Sequence, residues 1–205
     1  MSAAASSSAV AAVPDARKVG LWVFMAVVCS LFMLFSVAYV MRMAMADWQP
    51  LRYVPWQLWL STAVLLAASV AWEGARRSAA HQMAQLACVL SLVFLVVQLW
   101  AWQAMTAMNF TVSGNPASSF FYLLTGLHGL HVVGGLVAAV LAAVLAGERQ
   151  HGSESRVRSG MLLCARYWHF LLLLWLALFA LLFLVTPDFV QVVCESVGIR
   201  PPQAR

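Results

Sequence analysis

Charge is what this sequence lacks most. Only 9% of its 205 residues are Asp, Glu, Lys or Arg, against 63% that are hydrophobic. A soluble domain carries roughly a quarter charged residues. The deficit excludes an ordinary water-soluble globular domain and points to a chain whose main solvent is lipid. Acids are scarcest: Asp15, Asp47, Glu73, Glu148, Glu154, Asp188 and Glu195, all in tails, loops or at the ends of apolar runs. Proton relays and ion-coupled transporters keep an ionisable group near mid-membrane, with broken helices around it. No carboxylate and no proline falls inside an apolar run here, which argues against a transporter working alone.

Cysteine chemistry is equally thin. Cys29, Cys88, Cys164 and Cys194 are far apart and form no C-x-x-C. The first three lie in apolar runs, where a thiol behaves as a small hydrophobe. Neither a disulfide framework nor a cysteine-based zinc site follows. The net charge of +5 is not a nucleic-acid signal. The basic residues stand singly or in pairs at the ends of apolar runs, with no continuous basic face. The opening "MSAAASSSAVAAVPDARK" has no basic region ahead of an apolar core, so it is not a secretory signal. A flexible tail is expected over residues 1–18.

What is present is a series of long apolar runs. Five are long enough to cross a bilayer, which takes about 20 residues. They cover about 19–41, 56–73, 82–105, 118–146 and 162–186, and residues 187–205 follow as a second tail. In lipid the backbone must satisfy its own hydrogen bonds, so runs of this length are helices. The expected fold is an all-α integral membrane protein, a five-helix transmembrane bundle. With the N-terminus cytoplasmic, that side holds Arg17, Lys18, Arg76, Arg77, Arg149, Arg156, Arg158 and Arg166. The other side holds Arg42, Arg52, Arg200 and Arg205. This bias favours a cytoplasmic N-terminus and a periplasmic C-terminus.

The polar residues at depth are Gln98, Thr125, His128, His131 and His169, and the spacing predicts a structural polar cluster among them. At about 1.5 Å per residue, Gln98 and His131 reach similar levels and are expected to meet, with His169 one or two turns below. His128 and His131, at i and i+3, share one helix face. They therefore cannot be opposite axial ligands of one haem. A copper or zinc site needs further ligands that no intramembrane Cys or carboxylate is spaced to supply. Packing through interhelical hydrogen bonds is the preferred role.

The glycines Gly126 and Gly129 beside the histidines read as close-approach sites. On the fourth helix Gly134, Ala138, Ala142 and Ala146 form a small-residue seam, and Gly135, Ala139, Ala143 and Gly147 form another one position on. Such seams let membrane helices pack closely. "RYWHF" (Arg166–Phe170) reads as an interfacial anchor, with Arg166, Tyr167 and Trp168 at the lipid headgroups.

Three stretches carry a resemblance. "SSFFYLLTGLHGLHVVGG" (Ser118–Gly135) is similar to a Thr-Gly-x-His-Gly-x-His-Val signature. "YWHFLLLLWLALF" (Tyr167–Phe179) is similar to a Tyr-Trp-His-Phe helix. "LWLSTAVLLAASVAW" and "FLVVQLWAW" (Phe94–Trp102) fit the helices between, and "KVGLWVFMAVV" (Lys18–Val28) matches more weakly. Together they resemble subunit III of the haem-copper terminal oxidases, in the short five-helix form that lacks the first two helices of larger members.

The resemblance implies a subunit without a redox centre in the cell's inner membrane. It would pack on the catalytic subunit I, beside subunit II, within a cytochrome c or quinol oxidase of aerobic respiration. Haem and copper belong to those partners. The subunit would hold phospholipids in a cleft and support its neighbour's proton uptake. Thr125, Gly126, His128, Gly129, His131, Trp168 and His169 match motif positions, and Gln98 matches a glutamine of the family. Three intramembrane acids common in the family fall on Val28, Ala101 and Leu172, so roles that depend on them are in doubt. Two other readings stand beside this one. One is the accessory subunit of a nitric oxide reductase. The other is a free-standing haem-binding membrane protein using His131 and His169.

Overall fold

A computed structural model describes residues 16–51, 54–78, 81–148, 154–186 and 189–190. The expected N-terminal tail as far as residue 15, most of the expected C-terminal tail, Arg52, Arg149, His151 and Cys194 lie outside the described residues. Among the described residues all regular structure is helical: α1 (Ala16–Arg42), α2 (Trp56–Ser78), α3 (His81–Ala107), α4 (Pro116–Glu148) and α5 (Glu154–Phe183). All five contain a stretch long and apolar enough to cross a membrane.

The helices overrun the apolar runs. α2 continues past residue 73 to Ser78, and α5 begins at Glu154 rather than near 162. Hydropathy marks where lipid ends. A helix propagates further, because each added residue gains a backbone hydrogen bond at little entropic cost once a turn exists.

Local chemistry sets several ends. Before α4, the Asn115 side-chain oxygen accepts from the Ala117 N–H at 3.1 Å, and Pro116 occupies the first helical position. That combination satisfies one orphan donor and places proline where no N–H is needed. After α3, Asn109 adopts φ 63°, and the N–H groups of Phe110 and Asn109 bond back to the carbonyls of Met105 and Thr106. This left-handed stop closes the carbonyls that a helix end leaves open. After α1, the Arg42 guanidinium donates to both carboxylate oxygens of Asp47, at 2.7 and 2.5 Å.

α2 and α3 form an antiparallel hairpin with a seam of small residues. On α2 the buried positions include Leu58, Ser61, Leu65, Ala68, Trp72 and Ala75. On α3 they include Ala87, Ser91, Phe94, Gln98, Ala101 and Met105. Steps alternating between three and four keep one stripe on one face, and the small side chains let the backbones approach. α5 packs on α2, α4 and α1, and α1 packs on α4 and α5. α1 is the least buried span. It turns Val28, Phe32 and Tyr39 inward and exposes Trp22, Val27, Leu34 and Met41. In water this surface would be untenable; in a bilayer its solvent is as apolar as it is.

Candidate functional site

Among the described residues, the five polar side chains expected to cluster make no hydrogen bond to one another. His131 turns toward α1, with its ring centroid 5.6 Å from Phe32 and 6.1 Å from Phe24, and its Nδ1 lies 2.7 Å from its own helix's Leu127 carbonyl. Gln98 is buried in the α3 seam, and neither of its amide atoms has a hydrogen-bond partner among the described residues.

His128 and His131 likewise address different neighbours. The ring of His128 is fully buried between Phe94 of α3 and Trp175 of α5, at 5.8 and 5.3 Å, with both nitrogens unpartnered among the described residues. Three residues turn a helix by about 300°, leaving roughly 60° between side chains. That angle separates an inward ring from one facing α1. Thr125 accepts the indole N–H of Trp102 at 3.0 Å and donates to the Phe121 carbonyl at 2.6 Å. It fastens α4 to α3 one turn from His128.

His169 belongs to another neighbourhood. Its Nδ1 lies 2.5 Å from the Ser69 hydroxyl, and its Nε2 lies 3.5 Å from Glu73. Glu73 also accepts from Arg77 at 2.8 Å and from Arg76. One carboxylate thus gathers two guanidiniums and an imidazole where α2 meets α5. Ser69 and Glu73, four residues apart on α2, went unrecognised in the sequence. Their spacing on one face opposite a histidine was the available signal.

Of the "RYWHF" residues expected at the interface, Arg166 is exposed. Tyr167 and Trp168 are buried. The Trp168 indole donates to the Ser91 hydroxyl at 2.7 Å, and the Tyr167 hydroxyl donates to the His131 carbonyl at 3.0 Å. Trp175 repeats the device, donating to Thr62 at 2.9 Å. These rings turn into the bundle, where each indole or phenol finds an acceptor on a neighbouring helix.

Gly135 explains how Tyr167 reaches α4. A Cβ there would lie 2.5 Å from the Tyr167 ring and 3.2 Å from Trp168. Gly126 similarly admits Trp102, at 3.2 Å from a would-be Cβ, and Gly129 meets Leu95 at 3.7 Å. Gly134 and Ala138 differ from expectation. Both are exposed, and a Cβ on Gly134 would meet nothing within 4 Å. Both seams border a cavity; the one through Gly135 and Ala139 is buried and packs against Tyr167, and the one through Gly134 and Ala138 is open.

That cavity, of about 1380 Å³, is bounded by α1, α3, α4 and α5. Apolar side chains dominate its wall, with Phe24, Leu130, Cys88 and Cys164 among them, and Arg17 and His81 contribute polar groups. Val28 and Ala101 are buried apolar core positions. Among the described residues, no three of His, Cys, Asp and Glu are grouped to hold a metal ion.

Five apolar helices fastened by indole and phenol hydrogen bonds define a multi-pass membrane protein. The model of the cytochrome c oxidase subunit III family matches residues 6–186, and the chain belongs to that family. Cytochrome c oxidase subunit 3 of Synechocystis is 29% identical over 184 residues, covering 84% of this chain and 77% of the relative. The probable cytochrome c oxidase subunit 3 of Mycobacterium tuberculosis is 30% identical over 97 residues, 47% of each chain. The Formosania lacustris protein is 35% identical over 128 residues, 58% of this chain and 47% of the relative. The match therefore spans about half the length of the mycobacterial and Formosania relatives.

Proposed function

We propose that this chain is a non-catalytic subunit III of a haem-copper terminal oxidase in aerobic respiratory electron transport. The family match across residues 6–186, which includes both histidine motifs, carries this reading. The chain packs on catalytic subunit I within a complex that includes subunit II, and those partners hold the haem and copper. It sits in a bacterial cytoplasmic membrane, N-terminus inside and C-terminus periplasmic, as the distribution of Lys and Arg favours. Its contribution is structural: it supports the stability and proton uptake of its neighbour and holds phospholipid. The cavity supports the lipid role, since its apolar wall suits acyl chains and Arg17 suits a phosphate.

Affinity purification of the tagged chain from native membranes tests this reading. Catalytic oxidase subunits I and II should co-purify. Recovery of nitric oxide reductase subunits instead would move the chain to that complex. Stoichiometric haem on the isolated chain, surviving stringent washing, would favour the free-standing haem protein.

A further inference from the structure

We propose that Cys88, Cys164 and Met161 form a binding site for a soft monovalent d¹⁰ cation, of the Cu(I) or Ag(I) type, on the wall of the membrane-embedded cavity. All three side chains line that cavity. Cys88 is on α3 and the other two are on α5. α3 and α5 run parallel, since each is antiparallel to α2: α3 through the hairpin, and α5 through contacts pairing Trp59 with Phe179 and Trp72 with Trp168. The Trp168–Ser91 hydrogen bond joins α3 and α5 directly. Cys88 lies three residues and Cys164 four residues before that bond, about 4.5 and 6 Å along their helices. The two thiols therefore sit at one level on the two helices, both on the cavity wall. Met161 is one turn from Cys164 on the same face of α5, where i and i+3 side chains are neighbours.

The donor set selects the ion. Thiol and thioether sulfurs are soft ligands that favour Cu(I)-like cations, whereas magnesium, calcium and manganese want oxygen. Charge selects the stoichiometry. An uncompensated ion in an apolar cavity is costly, so the favoured complex is neutral. The Cys164 sulfur loses its proton to water as it bonds the cation. The Cys88 thiol and the Met161 thioether bind as neutral donors. One cation enters, one proton leaves, and no electron is transferred.

The test uses the full chain with whatever subunits accompany it from native membranes. The protein is equilibrated anaerobically with Ag(I), desalted, and its silver counted per chain by elemental mass spectrometry. Ag(I) avoids confusion with copper bound elsewhere in the complex. The wild type should retain one more ion per chain than Cys164→Ala or the double variant Cys88→Ala/Cys164→Ala. Cys88→Met should keep the ion, because it supplies another neutral soft donor, and Met161→Leu, which removes a soft ligand, should bind it more weakly. Cys29→Ala, on α1 outside the cavity wall, should match the wild type. Equal silver in the wild type and in a double variant that still purifies at normal yield would overturn the proposal. So would loss of the ion with Cys29→Ala.

Discussion

The Trp168 indole donates its N–H to the Ser91 hydroxyl at 2.7 Å, and the Ser91 hydroxyl in turn donates to the Ala87 carbonyl of its own helix. The donor on α5 is thus satisfied by a side chain already oriented by α3. Ser91→Ala should lower the unfolding free energy in detergent by about 0.6–1.7 kcal/mol, the range of interhelical hydrogen bonds in membranes. Differential scanning fluorimetry reads the loss. Trp168→Phe combined with Ser91→Ala should couple rather than add.

Gly135 and Gly134 make a controlled pair. Gly135→Ala drives a methyl group into the Tyr167 ring, where the would-be contact is 2.5 Å. Overpacking of this kind costs about 1–3 kcal/mol. Gly134→Ala meets open space and should leave the thermal midpoint unchanged or slightly higher. Equal effects of the two changes would refute the close-approach role of Gly135.

The Asn115 side chain caps α4 and also donates to the Gln49 carbonyl at 2.6 Å. Asn115→Ala should cost about 1 kcal/mol through the lost cap. Asn115→Asp should retain the cap and lose the bond to Gln49, placing its stability between the two. Thermal unfolding of the three proteins orders them.

The loop after α1 gives a pH-dependent contact. The Arg42 guanidinium, hydrogen-bonded to Asp47, holds that carboxyl below the usual carboxylate range. A depressed folded pKa means the contact is fully present above the ordinary aspartate pKa and is lost as pH falls through the depressed value. Arg42→Gln should return the Asp47 titration to the ordinary range, as followed by its carboxyl ¹³C shift. The pair is exposed, so little change in overall stability accompanies it.

His131 borders the cavity, and its Nδ1 bonds within its own helix, to the Leu127 carbonyl. Under the proposed function, His131→Leu should lower the yield of assembled complex or its long-term turnover and leave its haem absorption bands in place. Bleaching of a haem would sink the structural role assigned to His131.

The helices were legible in the sequence because lipid leaves the backbone no alternative, whereas ends such as those at Asn109 and Pro116 were set by local backbone chemistry that hydropathy does not register. Azimuth was not legible. α4 is apolar on every side, so spacing offered two small-residue seams and no means of choosing Gly135 over Gly134. Tyr167 and Trp168 suit either a headgroup region or a buried acceptor, and only the presence of Ser91 and the His131 carbonyl decides. Those acceptors were hidden for a related reason. Ser91 and Thr62 also donate to carbonyls of their own helices, at 2.7 and 2.8 Å. A hydroxyl that can serve itself announces no need of a partner. Family motifs marked the histidines, whereas Ser69 and Glu73 carried no motif and emerged only from their distance to His169.

The place of α5 has a consequence for biosynthesis. It touches α1, α2 and α4 and is bonded to α3, yet it is the last of the five helices to leave the ribosome. The α2–α3 hairpin can form as soon as both halves are inserted. α1, α4 and that hairpin share a common neighbour only when α5 arrives. Until then Ser91, Thr62 and the Gly135 notch lack their α5 partners, so the indole and phenol bonds across the bundle can form only once that helix is in place.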